Sequence, residues 1–534
     1  MGQIRRISGS IFVLAALLAG CMSPHAPLVD PTPVTTHAPI PATPPDPDYW
    51  PTEEWHSTTP EEQGMDSEKL AEMVAHIQAE QRNLHSLLIV RNGYLVSEIY
   101  GHPYTAGQTH WVASVTKSVV SALVGIAIQQ GKIQGVRQSL WSLLPQQGVK
   151  NFDENKQKIT LEDLLTMTSG LDCMDNVPAG QPMMEKSANW VSFSLDRPMA
   201  AVPGTRFNYC SEVSQVISAA LQRATGMSTR AYSNQVLFQP IGIAPVTEEH
   251  WAADPQGVTV GGYELYLTPR EMAKFGCLFL HQGRWDGQQV VPAEWVTVST
   301  AWHVSRDDGL GYGYHWNTDP GGTSYAAIGR GGQGIYIYPE QNMVVVFTAG
   351  LSFRDNEDFG PILKLLNEYI LPAVKSDQAL PANPAAAARL QARAQALAQP
   401  QQDQPPLPVM AEKISGKYIS FDKNPLGWKI LALTFTAGQA EASATFDGVH
   451  YVAIGLDNLY RVSDSEYASF PVGFRGRWKD KNTFVVDEVW IGKMTEYTYT
   501  FRFHDETTLQ LTQVEKYFGE EVSIQGALRS EGSQ

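Results

Sequence analysis

The chain has 534 residues, more than one ordinary domain holds and enough for two or three. Apolar residues make up 43% and charged residues 18%, a globular composition that excludes wholesale disorder. With 39 Lys and Arg against 55 Asp and Glu the net charge is −16, which argues against non-specific nucleic-acid binding, and four cysteines in this length exclude a disulfide-built scaffold.

Residues 1–20 read as a signal peptide. Arg5 and Arg6 precede the apolar run from Ile11 to Leu18, which is too short to span ~30 Å of hydrocarbon as a helix. Leu18-Ala19-Gly20-Cys21 resembles the bacterial lipobox, whose cysteine is lipidated and becomes the first residue of the mature chain. The resemblance implies lipid attachment at Cys21 and a place on the bacterial cell envelope, at the outer membrane or periplasmic side in a Gram-negative cell. Acyl chains contribute ~0.8 kcal/mol per buried methylene, so several of them hold a protein firmly. Residues 21–52 are dominated by Pro, Thr and Ala and predict an extended tether, up to ~3 Å per residue where polyproline-like.

The segment 53–375 carries the chemistry. Leu87-Leu88-Ile89-Val90 and Leu95-Val96-Ser97-Glu98-Ile99 flank Asn92-Gly93, a strong hairpin signal. Then His110-Trp111-Val112-Ala113-Ser114-Val115-Thr116-Lys117 runs into an almost wholly apolar stretch ending at Gly131, which predicts a buried helix. Ser114 and Lys117 sit three apart at its first turn and so share a face. A serine hydroxyl is a poor nucleophile until a base takes its proton, and a buried helix start is a place where a lysine can act as that base. The spacing alone proves nothing, because Ser420-Phe421-Asp422-Lys423 matches it too with no buried helix behind it.

Further along come Ile159-Thr160-Leu161-Glu162-Asp163-Leu164-Leu165-Thr166-Met167-Thr168-Ser169-Gly170-Leu171, then Pro203-Gly204-Thr205-Arg206-Phe207-Asn208-Tyr209-Cys210-Ser211. Gly262-Tyr263-Glu264-Leu265-Tyr266-Leu267-Thr268-Pro269-Arg270-Glu271 follows, and last Gly329-Arg330-Gly331-Gly332-Gln333-Gly334 opens a strand-like run. The 13 histidines show no metal-ligand spacing, and neither Gly-x-Ser-x-Gly nor a phosphate-binding Gly-rich loop with Lys is present.

Residues 376–411 are rich in Ala, Gln and Pro and read as a linker, with a capped helix over 385–398 after Asn383-Pro384. Beyond it the pattern changes to period two: Tyr497, Tyr499, Phe501 and Phe503 alternate with polar residues, as do Leu509 and Leu511. Residues 412–534 are therefore expected to form a small antiparallel β-domain, barrel or sandwich.

The ordered series from Ser114-Val-Thr-Lys117 to Gly331-Gly332-Gln333 resembles the serine β-lactamase-like superfamily, on the side of class C β-lactamases and DD-peptidases. Within it the likeness is nearest to family VIII esterases and 6-aminohexanoate-oligomer hydrolases. The resemblance covers about 55–375, and 412–534 is similar to the lipocalin-like β-domain appended to some members. It implies an α+β fold, an antiparallel sheet with flanking helices plus an all-helical lobe, followed by a small all-β domain. Ser114 is then the nucleophile of an acyl-enzyme, and Lys117 and Tyr209 share the proton work, with the assignment of the base left open between them. The backbone N–H groups of Ser114 and Gln333 would form the oxyanion hole, with Gly331 and Gly332 admitting substrate close to the backbone.

No metal or organic cofactor is required by that resemblance. The partners it implies are a small ester, amide or peptide substrate and, through Cys21, a membrane; the oligomeric state is not legible. Ester or amide hydrolysis ranks above cleavage of cell-wall peptides and of β-lactams, and a non-catalytic cell-wall peptide receptor is the alternative of another kind. Two positions depart from the family pattern. Ser211 stands where the family has Asn and is expected to contact substrate through a shorter hydroxyl. Arg330 stands where it has Lys or His and is expected to meet a substrate carboxylate or acyl-side carbonyl. Cys173 and Cys210 are candidates to pair beside the site, whereas Cys277, among Phe275, Leu278 and Leu280, reads as core.

Overall fold

The computed structural model describes residues 43–529 apart from 81–82, 174–179, 353–358, 448–449 and 465–469. Residues 1–20, Cys21 and most of the 21–52 segment lie outside the described residues. Asn92 (φ 52°) and Gly93 (φ 85°) both take the left-handed backbone that a two-residue hairpin turn requires, joining β1 (Leu84–Arg91) to β2 (Tyr94–Tyr100). These strands continue into β5 (Met343–Ala349), β4 (Gln333–Tyr338) and β3 (Tyr325–Gly329), and three two-residue strands complete an eight-stranded sheet, antiparallel throughout.

The sheet is buried on both faces, and strand alternation decides which core each residue joins. Leu88, Val90, Ile335, Ile337, Val344 and Val346 face the larger core, which also holds α2 (Val115–Gln129), α3 (Ser211–Thr225) and α4 (Pro269–Leu280). Their neighbours Leu87, Ile89, Tyr336, Tyr338, Val345 and Phe347 face α1 (Ser67–Glu80) and the 360–373 helices. The antiparallel sheet and helical lobe expected from the sequence are thus present. Two of the quoted motifs serve helix starts: Thr160 with Asp163, and Thr268 with Glu271, form reciprocal capping boxes.

Within 376–411, Pro384–Ala398 is α5, capped by the Asn383 side chain accepting from the Ala386 N–H. It lies against α1. Leu390 enters the second core, and the Arg393 guanidinium donates to the Ala71 carbonyl at 2.8 Å. The end of the Pro-rich N-terminal stretch is also seated on the protein: the Trp50 ring lies 5.0 Å from Trp285 and 5.1 Å from His281.

Residues from 418 on form a closed nine-stranded barrel. Antiparallel neighbours run from Tyr418–Phe421 to Glu521–Arg529, and a single bridge, Gly455 to Arg475, closes the cylinder. Alternation fills it: Phe484, Val486, Tyr499, Phe501, Phe503, Leu509 and Leu511 point into one apolar core. The outer face of the barrel meets the sheet-and-helix domain through Tyr104, Val489, Ile491 and Tyr460.

Candidate active site

Ser114 stands at the N-cap position of α2 without a side-chain capping hydrogen bond, and Ala113 before it takes a left-handed backbone at φ 49°, unusual for a residue with a Cβ. Such backbone persists where surrounding structure imposes it, and here it turns a strand residue sharply into the helix start. Lys117 follows one turn later and is only 1% exposed. Its ammonium nitrogen reaches Ser114 Oγ at 3.0 Å, Ser211 Oγ at 2.9 Å and the Gly262 carbonyl at 2.8 Å. The three partners come from the start of α2, the start of α3 and the strand-like segment leading to α4. The Gly262 carbonyl can only accept, whereas either serine hydroxyl can donate or accept. The cradle therefore also fits a neutral amine that gives two hydrogens to Gly262 and Ser211 and takes the Ser114 hydrogen on its lone pair.

Tyr209 presents its ring 4.9 Å from the Lys117 nitrogen. Among the described residues its hydroxyl makes no hydrogen bond. Its backbone is fixed by neighbours. Asn208 N–H donates to the Met167 carbonyl at 2.8 Å, and Cys210 is bonded to Cys173, 37 residues away. Glu212, two residues beyond, takes both arms of the Arg197 guanidinium at 3.0 and 2.9 Å. That bidentate pair is well buried and holds the start of α3.

The turn Arg330–Gly332 carries the last motif to the same place. Gly329 lies so close to the strand before Ser114 that a Cβ there would fall 2.4 Å from the Val112 carbonyl oxygen. Only glycine lets β3 end against that strand, which brings Gln333 and Ser114 to one edge. The Gln333 side chain is a clamp: its amide nitrogen donates to the Ala349 carbonyl at 2.6 Å, and its oxygen accepts from the Ala349 N–H at 3.2 Å. Arg330 is half-buried on this turn. Gly331 (φ 76°) and Gly332 (φ 87°) both use the left-handed region.

Ser211 makes a contact that the sequence did not point to. It is 6% exposed and its hydroxyl lies on Lys117, because a side chain this short at the first residue of α3 reaches the neighbouring amine. Cys173 and Cys210 are disulfide-bonded and Cys277 is a buried thiol. Trp190 packs with Met184, Val260, Tyr263, Trp111 and Phe193 in a small cluster beside the site.

Some residues here were not singled out from the sequence. His315, 2% exposed, accepts the Ser118 hydroxyl hydrogen on its carbonyl at 2.7 Å and places its Nδ1 3.1 Å from the Lys117 carbonyl. Burial, followed by the nearby Lys117 charge, lowers its pKa to about 3, so it packs as a neutral ring. Glu264, two residues past Gly262, is pushed up to about 7 by burial, opposed by Lys493 of the barrel domain. No spacing rule marks either residue, since both act through folded proximity.

A family model described as Beta-lactamase matches residues 68–361. The 6-aminohexanoate-dimer hydrolase of Paenarthrobacter ureafaciens is 22% identical over 286 residues, covering 49% of this chain and 71% of that protein. Among solved structures, the octameric penicillin-binding protein homologue from Pyrococcus abyssi aligns with a TM-score of 0.48 at 15% identity, over 87% of this chain and 100% of the other. A hydrolase with promiscuous acyltransferase activity aligns at 0.47 and 17% identity, over 58% of this chain and 99% of the other.

Proposed function

The chain belongs to the Beta-lactamase family, and from that premise we propose that it is a serine hydrolase that cleaves an ester or amide bond through an acyl-Ser114 intermediate. The observation that carries this reading is the 3.0 Å contact between the Lys117 nitrogen and Ser114 Oγ at a buried helix start. In the acylation step the Ser114 hydroxyl proton passes to the Lys117 amine as Oγ bonds to the substrate carbonyl carbon. The carbonyl π-electrons move to its oxygen, which the N–H groups of Ser114 and Gln333 receive. Collapse of that intermediate expels the leaving alcohol or amine, which takes a proton from the Tyr209 hydroxyl; Lys117 returns its proton to Tyr209. Water then repeats the attack on the acyl carbon, delivering its proton through the same pair and restoring Ser114.

Lys117 is chosen as base because it touches Ser114 directly, whereas the free Tyr209 hydroxyl suits the leaving group. Arg330 supports a substrate carboxylate or acyl-side carbonyl on the Gln333 side, whereas Gly331 and Gly332, expected to admit substrate, are instead packed against Met494 and against Leu351 and Ala349. The test is labelling with a fluorophosphonate, in which Ser114 Oγ bonds to phosphorus and fluoride leaves. Peptide mapping should find the adduct on Ser114; folded protein that takes no adduct there is not this enzyme. A penicillin adduct that persists for hours would instead favour cell-wall peptidase chemistry.

The Leu18–Cys21 sequence supports lipid anchoring at the cell envelope. Cys21→Ser is expected to move the protein from the membrane to the soluble fraction, and unchanged fractionation would remove the anchor from this reading.

A further inference from the structure

The barrel domain touches both backbone segments that carry the oxyanion-hole N–H groups. Its strands Thr483–Trp490 and Glu496–Phe503 are joined by a turn that reaches into the catalytic domain. At one end of that turn the Gly492 carbonyl accepts from the Trp111 N–H at 2.7 Å, three residues before Ser114. Gly492 has φ 81°, and a Cβ on it would fall 2.4 Å from the Thr109 carbonyl oxygen, so this approach admits only glycine. Two residues on, Met494 lies over Gly331, where a Cβ would overlap the Met494 sulfur at 1.9 Å. Gly331 begins the pair that leads to Gln333.

We propose that the Gly492–Thr495 turn of the barrel domain is a working part of the active site, with Met494 as a positioning residue for the oxyanion edge. The proposal rests on the hydrolase reading above. The turn is stiff enough for the task because both its ends are anchored. Ahead of it, Val489 and Ile491 are buried with Tyr104. Behind it, Glu496, 3% exposed, faces His85 at 3.4 Å and Lys516 at 3.2 Å and accepts a hydrogen bond from Asn83. Between the anchors, the Lys493 ammonium sits 4.4 Å above the Phe470 ring and 5.8 Å above Tyr266, which lies across from Trp111 in a two-residue ladder. One turn thus touches both the Trp111–Ser114 segment and the Arg330–Gln333 turn, which meet each other directly at Gly329 and Val112. Oxyanion donors act only when fixed about 3 Å from the developing charge, and a misplacement of ~1 Å can cost on the order of 100-fold.

The experiment uses the full chain and four proteins: wild type, Met494→Ala, Met494→Leu, and Tyr460→Leu, which weakens the same domain contact at its His102 and Tyr104 side, without touching Gly331. Steady-state hydrolysis of p-nitrophenyl butyrate, the rate of fluorophosphonate labelling and the melting temperature are measured on each. Met494→Ala is expected to lower kcat ~10-fold or more with KM within about twofold, and to slow labelling by a similar factor. Met494→Leu, of similar volume, should recover to within about threefold of wild type. Tyr460→Leu should lower the melting temperature at least as much as Met494→Ala while kcat stays within about twofold. The proposal is overturned if Met494→Ala keeps wild-type kcat, or if kcat follows melting temperature alike in Met494→Ala and Tyr460→Leu. Absence of labelling in wild type would instead defeat the hydrolase reading itself, so the two failures are separable.

Discussion

Two Ser-x-x-Lys sequences occur in this chain, and the fold gives them opposite surroundings. Ser114 and Lys117 stand one helical turn apart, so their side chains converge, and Lys117 is buried with three hydrogen-bond partners. Ser420 lies on the barrel strand Tyr418–Phe421, where its hydroxyl donates to the Ala527 carbonyl at 3.2 Å. Lys423, just past that strand, is exposed. In extended chain, residues three apart point to opposite faces, so the strand does not turn Lys423 toward Ser420. The same four-residue pattern is a buried, hydrogen-bonded cluster at a helix start and two unconnected side chains at the end of a strand.

The largest test of that contrast is removal of the two hydroxyls. Ser114→Ala is expected to lower kcat/KM for a p-nitrophenyl ester by ~10⁴-fold or more, whereas Ser420→Ala leaves it within about twofold. Comparable losses from both variants would mean that the barrel serine takes part and that the contrast is false. The lysines come next. Lys117→Met should cost about 10²–10⁴-fold, the range of a positioned general base, and Lys423→Met nothing measurable. A Lys117→Met enzyme with wild-type rate but altered pH profile would shift the base to Tyr209.

How much of this was readable before folding follows from the kind of interaction. The hairpin at Asn92-Gly93, the α2 helix ending at Gly131 and the alternation of Tyr499, Phe501 and Phe503 are local periodicities, and the structure contains each of them. Lys117 meets both Ser114 and the Tyr209 ring, a contact between distant motifs that no single sequence window holds. What escaped was contact between segments without a shared motif. The Gly262 carbonyl on Lys117 is a backbone group, which no residue type advertises. The Ser211 hydroxyl turned inward because a short side chain takes the nearest partner. The barrel turn at Gly492–Thr495 reaches Gly331 from about 160 residues away, and only domain docking brings it there.

A smaller effect tests what holds the convergent site together. Ser114, Tyr209 and Gly262 come from separate segments, and Cys173–Cys210 ties one of them down, whereas Ser420 needs only its strand ladder. A crosslink closing a loop of this size contributes about 2–4 kcal/mol. The double variant Cys173→Ser/Cys210→Ser should therefore unfold the catalytic domain at lower urea concentration and leave barrel unfolding unchanged. A shift of both transitions would show that the two domains unfold as one unit.

The finest test reads the dryness of the Ser114 helix through His315. Inside the fold this ring, packed against the Lys117 carbonyl, holds its proton only below about pH 3, whereas in the unfolded chain it does so below the ordinary histidine value near 6.5. Between those limits the unfolded chain binds the extra proton, so the stability His315 contributes is fully present above ~6.5 and is lost progressively as pH falls toward 3. Each unit in that window costs about 1.4 kcal/mol for one such group. His315 also occupies a left-handed backbone at φ 61°, which asparagine tolerates, so His315→Asn is the substitution that removes the titration with least strain. Urea unfolding of both proteins at intervals from pH 7 to 5 should give a shallower pH dependence in the variant by about 1.4 kcal/mol per unit below 6.5. Parallel slopes would mean that water reaches His315 in the folded protein, and the Ser114 helix start would then be wetter than the contrast with Ser420 requires.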